Sequence, residues 1–367
     1  MVQYNKLEVF LHPAFSKQAE LFDEKYELFK FVYVGDEHYS KKNLKARSSR
    51  TCRFCGLSYP DTAFSNLSHL LPQLIGNSNL YSDFECDKCN ALFSSFENDL
   101  AAYLGISRSI VGLHDKKNAP GFTARRIKAK SRSFIGDNIL ILAPEDIVVK
   151  GAGVSLNYTK NPYTPSNVFK AFLKSALSLL DEEDIKRDYR KAIDYLGGKN
   201  RLTRGAIIGG YKLSFIKNIP LHVFCFKKRN ETEQIPNHVI CFNFQSQIIS
   251  FPIPVDNTLE SSNLDEWQTI LPPPYFLREK IMKDAFPIPF FKDLTSTTEV
   301  KDEEDSFPIQ VDPKYLESAW SYNPATDTHQ QEKLDLSQIK HIILAKEGVM
   351  VDPKELSDFI KKEMGEE

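Results

Sequence analysis

Apolar positions recur at helical spacing in two stretches of this chain and cluster like strands in several others. After Asn90, the residues Leu92, Phe93, Phe96, Leu100 and Leu104 share one face of a helix that Asn90 opens. Val168, Phe169, Phe172, Ala176, Leu179 and Leu180 do the same after a break at 162–167, where Ser166 reads as an N-cap. A second helix is expected over 182–196, stopping at Gly197 and Gly198. Residues 29–34 are aromatic and β-branched, as in a strand. Ile139 to Leu142 and Ile147 to Val149 read as two strands around a turn. From 204 to 255 short β-rich runs follow one another, the pattern of an antiparallel sheet. A short strand at 341–344 and a helix after Pro353 are expected near the C-terminus.

With 367 residues, 41% hydrophobic and 26% charged, the chain suits two or more globular domains. No apolar run is long enough to span a bilayer, and Met1 to Lys6 lacks the apolar stretch of a secretory signal, so the expected compartment is the cytoplasm and no membrane partner is expected. The net charge of −2 hides an uneven distribution. Lys41, Lys42, Lys45, Arg47, Arg50 and Arg53 follow one another without an acid, and a second basic run lies at 125–132. Such runs either hold a phosphate backbone or form solvated surface. The segment 293–307 is polar and acidic, as in a flexible connection.

Six cysteines are too few for a disulfide scaffold. Cys225 and Cys241 sit in apolar runs and read as buried thiols. The other four form two pairs, Cys52-x-x-Cys55 and Cys86-x-x-Cys89. Two thiolates in one tight turn grip an ion, and two such turns complete a tetrahedral four-sulfur shell, which suits structural zinc. Such a shell has no open position, so chemistry would need another centre. The segment between the pairs holds His69 before Leu70-Leu71-Pro72, and Asn77 and Asn79 in a turn; Asn90 follows Cys89 directly. A histidine titrates near neutral pH and can take a proton from water.

This order of residues resembles the HNH endonucleases of the zinc-knuckle type over roughly residues 50–105. The resemblance implies a ββα-metal module. It also implies that His69 is the general base, that Asn79 (with Asn77 the alternative) orients it, and that Asn90 is a ligand of a catalytic Mg2+ or Mn2+. DNA would be the substrate, in a setting such as bacterial restriction or phage defence. The chain departs from the wider pattern at Ser68, where many members carry an acidic ion ligand. Glu97, about 10 Å along the helix from Asn90, reads as a supporting group. Asp83 and Asp87 are alternative ligands. The expected fold is α+β. An HNH domain over 1–150 leads to a helix-plus-sheet accessory domain over 151–285 that positions substrate, senses a signal or joins subunits into a homo-oligomer. An acidic linker and extension fill 286–367. The competing reading is a non-enzymatic zinc module that binds nucleic acid or protein.

Overall fold

The computed structural model describes residues 2–4, 7–107, 122–123, 128–134, 137–142, 147–150, 153–201, 205–213, 219–233, 235–254, 271–284, 286–309, 318–323, 326, 328–333 and 342–345. The first elements are β1 (Val2–Tyr4), β2 (Leu7–Leu11), α1 (Ser16–Lys25) and β3 (Tyr26–Tyr33). The cysteine region contributes β4 (Ser68–His69), β5 (Tyr81–Ser82) and α2 (Asp87–Leu104). Next come β6 (Phe122–Thr123), β7 (Lys128–Phe134), β8 (Asp137–Leu142), β9 (Ile147–Lys150) and β10 (Gly153–Thr159). Three helices follow: α3 (Pro165–Leu179), α4 (Glu182–Asp188) and α5 (Arg190–Leu196). Then run β11 (Ile207–Leu213), β12 (Ile219–Lys228), β13 (His238–Gln245), β14 (Gln247–Pro252), β15 (Tyr275–Phe276), α6 (Glu279–Asp284) and β16 (Pro287–Asp293). The last strands are β17 (Glu304–Ile309), β18 (Ser318–Asn323), β19 (Thr328–Lys333) and β20 (Ile342–Ala345).

The chain divides into two compact units, residues 1–111 with 160–303, and residues 112–159 with 304–367. This grouping differs from the expected cuts at 150 and 285. The cysteine region shares a unit with α3, whose carbonyls take hydrogen bonds from Arg53, and with the large sheet, whose Gln245 donates to Leu74 O. In the second unit β10 pairs with β9 and β17, and β8 pairs with β7 and β20. The two strands expected around one turn, β8 and β9, therefore lie in different sheets. The helix expected after Pro353 and part of the basic run at 125–132 fall outside the described residues.

The first unit is built on a six-stranded antiparallel sheet in the order β16-β11-β14-β13-β12-β3. Both faces of its centre are covered, so β13 is buried at every position. On one face Phe242 and Phe251 stack at 6.1 Å and meet Phe169 and Phe172 of α3. On the other, Phe224 and Phe226 meet Tyr275 and Phe22. Two-sided burial explains why these strands read as apolar runs rather than as alternation.

Three expectations are corrected. α3 starts at Pro165, with Thr164 as N-cap, so Ser166 lies inside the helix; proline suits the first helical position because it has no N–H to leave unpaired. The helix expected over 182–196 is two, broken where Tyr189 leaves helical geometry and shares a 2.6 Å hydrogen bond with buried His238 Nδ1. The acidic stretch 293–307 is not a loose connection. Glu303 takes hydrogen bonds from Tyr163 (2.5 Å), Lys160 (3.1 Å) and Lys292 (3.1 Å), and the chain enters β17 at Glu304.

Two buried imidazoles make the first unit acid-sensitive. Burial holds His222 down to about 4, and His238 is lowered for the same reason despite nearby Asp184. An unfolded histidine protonates near 6.5. Between these values the unfolded chain binds more protons, so stability falls as pH drops from about 6.5 toward 4, by on the order of 2–3 kcal/mol per group. Melting midpoints should decline over this window, with a shallower slope for His222→Phe; parallel slopes would contradict the assignment.

Candidate metal centre

The first cysteine pair sits in a tight turn. Gly56 N–H donates to Cys52 O and Cys52 N–H to Leu57 O, both at 2.8 Å. Gly56 has φ +77, a left-handed conformation that favours glycine. The second pair opens α2: Cys86 is its N-cap and Cys89 lies in its first turn. Arg53 N–H donates to Phe84 O at 2.8 Å, joining the turns. The four Sγ atoms lie within 4.8 Å of one another, and Cys55 and Cys86 are 3.7 Å apart. Sulfurs bound about 2.3 Å from one tetrahedral ion lie about 3.8 Å apart, so the cluster fits a single ion. By themselves the thiols ionise unevenly. Cys52 is lowered to about 5, first by a hydrogen bond with Cys89, whose own thiol is raised by that same bond. A bound cation would let all four carry charge. Among the described residues this is the one cluster of three or more cysteine, histidine or acidic ligands.

Between the pairs, β4 and β5 form a short antiparallel ladder, with Ser68 opposite Ser82 and His69 opposite Tyr81. His69 is half-buried, and its ring lies 4.9 Å from that of Tyr81. Asn77 is buried and pins the connecting turn: Nδ2 donates to Leu71 O (2.7 Å) and Leu80 O (2.9 Å), while Oδ1 accepts from Leu80 N–H (2.8 Å). Asn79 is exposed; its side chain bonds Ser78 and its N–H donates to Asn77 Oδ1. Asn90 is half-buried in the first turn of α2, which begins at Asp87, three residues earlier than expected. Leu92, expected on the packed face, is exposed.

The acidic alternatives are engaged elsewhere. The Asp87 carboxylate accepts N–H groups of Ser65 (3.0 Å) and Asn66 (2.9 Å). Asp83 accepts the Lys45 N–H at 3.0 Å. Ser68 is buried, with its hydroxyl directed at Glu85 O (3.4 Å).

Sequence reasoning missed the buried pair of Lys174 and Glu85 and read Arg53 only as part of a basic run, whereas it is turned inward. Lys174 of α3 is buried; its Nζ donates to His69 O at 2.9 Å and pairs with buried Glu85 at 2.8 Å. Burial raises the Glu85 carboxyl, and Lys174 pulls it back only in part. Glu97 is raised by burial as well, against the attraction of Lys174. α3 is buried almost all round although it carries Lys174, Ser175 and Ser178, so no local pattern marked Lys174. Arg53 makes the second tie: its guanidinium donates to the α3-terminal carbonyls of Leu177 (2.9 Å) and Leu180 (2.9 Å) and lies 3.9 Å from the Phe84 ring centroid. A cation at a helix C-terminus satisfies its unpaired carbonyls and opposes its dipole.

Compared with protein-family models, curated proteins and solved structures, the chain matches none. Among the described residues no helix is long and apolar enough to cross a membrane.

Proposed function

We propose that the cysteine region is an HNH-type endonuclease module with a structural zinc ion and a separate catalytic divalent ion, acting on DNA. The observation that carries this reading is the layout of one small region. A half-exposed histidine lies on a two-strand ladder between two cysteine pairs, and the second pair opens the helix that bears Asn90. His69 would take the proton of the attacking water. Asn90 would hold a Mg2+ or Mn2+ ion, which supplies charge neutralisation at the scissile phosphate when bound. Magnesium keeps several waters, so few protein ligands suffice. Exposed Lys41, Lys42, Lys45 and Arg47 offer cations to a phosphate backbone, and Lys45 and Arg47 are tied to Asp83 and Ser65 of this region.

The test is cleavage of supercoiled plasmid with Mg2+ or Mn2+. Wild type should cut and EDTA should stop it, while His69→Ala should lower the rate by about 10²–10⁴-fold. Equal cutting by both proteins would remove His69 from the mechanism. One observation favours the non-enzymatic reading: Ser68 is turned inward, so the position ahead of the histidine offers no ion ligand. That reading expects salt-sensitive DNA binding without cutting under any divalent ion.

A further inference from the structure

With Thr164 at the N-cap of α3, Ser166 stands in the first turn and its hydroxyl is not used for capping. Ser166 and Lys170, four positions apart, share one helix face. Both line a cavity of about 440 Å³, within the usual size range of small-molecule sites. Tyr195 of α5, Arg201 beyond it and the loop 295–298 complete the wall. The Ser166 N–H holds that loop to the helix by donating to Ser296 O at 2.9 Å. The next two N–H groups of α3, from Asn167 and Val168, donate to Thr164 O. The polar groups left to the cavity therefore come from side chains and not from a bare helix end.

The charge on this wall has one sign. The half-buried Lys170 ammonium lies 5.1 Å from the Phe96 ring centroid and 4.8 Å from that of Tyr195. Among the described residues it meets neither a carboxylate nor a hydrogen-bond acceptor. Burial with no acid alongside lowers its pKa. Arg201 is exposed at the rim, and among the described residues no acid lines the cavity. Ser166 and Tyr195 are each 4% exposed. Among the described residues neither hydroxyl has a hydrogen-bond partner, and neither is sealed from solvent as the unpaired Ser250 hydroxyl is. A recessed hydroxyl left unpaired costs stability until a partner meets it. An ammonium and a guanidinium only donate, so the ligand that suits them is an acceptor.

We propose that this cavity binds a phosphoryl dianion, free or on a small ester. At neutral pH such a group carries about two negative charges and three strong acceptor oxygens. Lys170 and Arg201 oppose the charge, and the Ser166 and Tyr195 hydroxyls donate to the oxygens. A carboxylate brings half the charge and one oxygen fewer, which would leave donors unpaired. A nucleic acid backbone presents singly charged diesters to exposed cations, whereas these two hydroxyls lie recessed. The site is independent of the nuclease reading.

Phenyl phosphate is the probe, with inorganic phosphate and the singly charged diester dimethyl phosphate beside it. Calorimetric titration of the full chain should show millimolar or tighter binding of phenyl phosphate, with dimethyl phosphate at least about tenfold weaker. Inorganic phosphate binding as tightly as phenyl phosphate would make free phosphate the ligand, and weaker binding would make it the ester. Lys170→Met should weaken phenyl phosphate by about tenfold or more, the loss of one charge-assisted hydrogen bond. Ser166→Ala should weaken it severalfold with the melting midpoint near that of wild type. Failure of wild type to bind at millimolar concentration overturns the proposal, as does equal binding of the diester, which would point to a nucleic acid backbone. Unchanged affinity in both variants overturns it too. If Lys170→Met does not fold, Ser166→Ala and Arg201→Gln decide: each should weaken binding severalfold, and wild-type affinity in both contradicts the site.

Discussion

Cys86→Ser is expected to lose its metal ion and, with it, the fold of residues 50–107. Cys86 both contributes a sulfur to the four-thiol cluster and caps α2. Apart from these sulfurs, a few backbone hydrogen bonds and buried residues such as Phe54, Phe64 and Phe93 hold the two turns together. Structural zinc sites contribute on the order of 10 kcal/mol of apparent binding energy, as much as a whole domain's usual stability of about 5–15 kcal/mol. The damage should spread to the rest of the first unit, because Arg53 and Lys174 join this region to α3. Elemental analysis should give one zinc per wild-type chain and none for the variant, whose melting midpoint should fall steeply. A metal-free variant that melts like wild type would show the ion to be dispensable.

Lys174→Met should cost about 3–5 kcal/mol, the usual penalty for removing one partner of a buried ion pair. The substitution strands the Glu85 carboxylate and removes the donor to His69 O. The deficit should shrink as pH is lowered. Glu85 is already raised by burial, and without Lys174 it rises further, so the folded variant binds more protons than the unfolded one and loses stability as pH rises. Lys174→Met combined with Glu85→Met should recover most of the loss, because a packed apolar pair of similar volume often replaces a buried ion pair at little cost. Urea unfolding of the two single variants and the double variant measures the coupling. Single losses below about 1 kcal/mol, or additive ones, would contradict a coupled pair.

The cysteine cluster was legible because ligand spacing is a local property: two residues between thiols fix a turn whatever surrounds it. The antiparallel sheet and the α3 face were legible for a similar reason, since apolar runs report burial directly. Lys174 and Glu85 were not, because their pairing joins residues far apart in the chain, from two regions that the sequence divides. Asn79 was preferred to Asn77 in a Gly-Asn-Ser-Asn turn, and only the turn's closure shows that Asn77 is the buried one. The acids near 303 read as a solvated run because two of the three partners of Glu303, Lys160 and Tyr163, lie about 140 residues earlier. The break at Tyr189 had no local signal: the partner of its buried hydroxyl, His238, lies on a strand 49 residues later.

Anomalous diffraction from crystals soaked in Mn2+ is the most direct measurement of whether this region pairs a closed structural site with a separate reacting centre. The account predicts two ions: zinc inside the four sulfurs, and manganese at the Asn90 side chain with the His69 ring facing its water shell. Density confined to the cysteines, with that ring still packed on Tyr81 and no second ion, would contradict it.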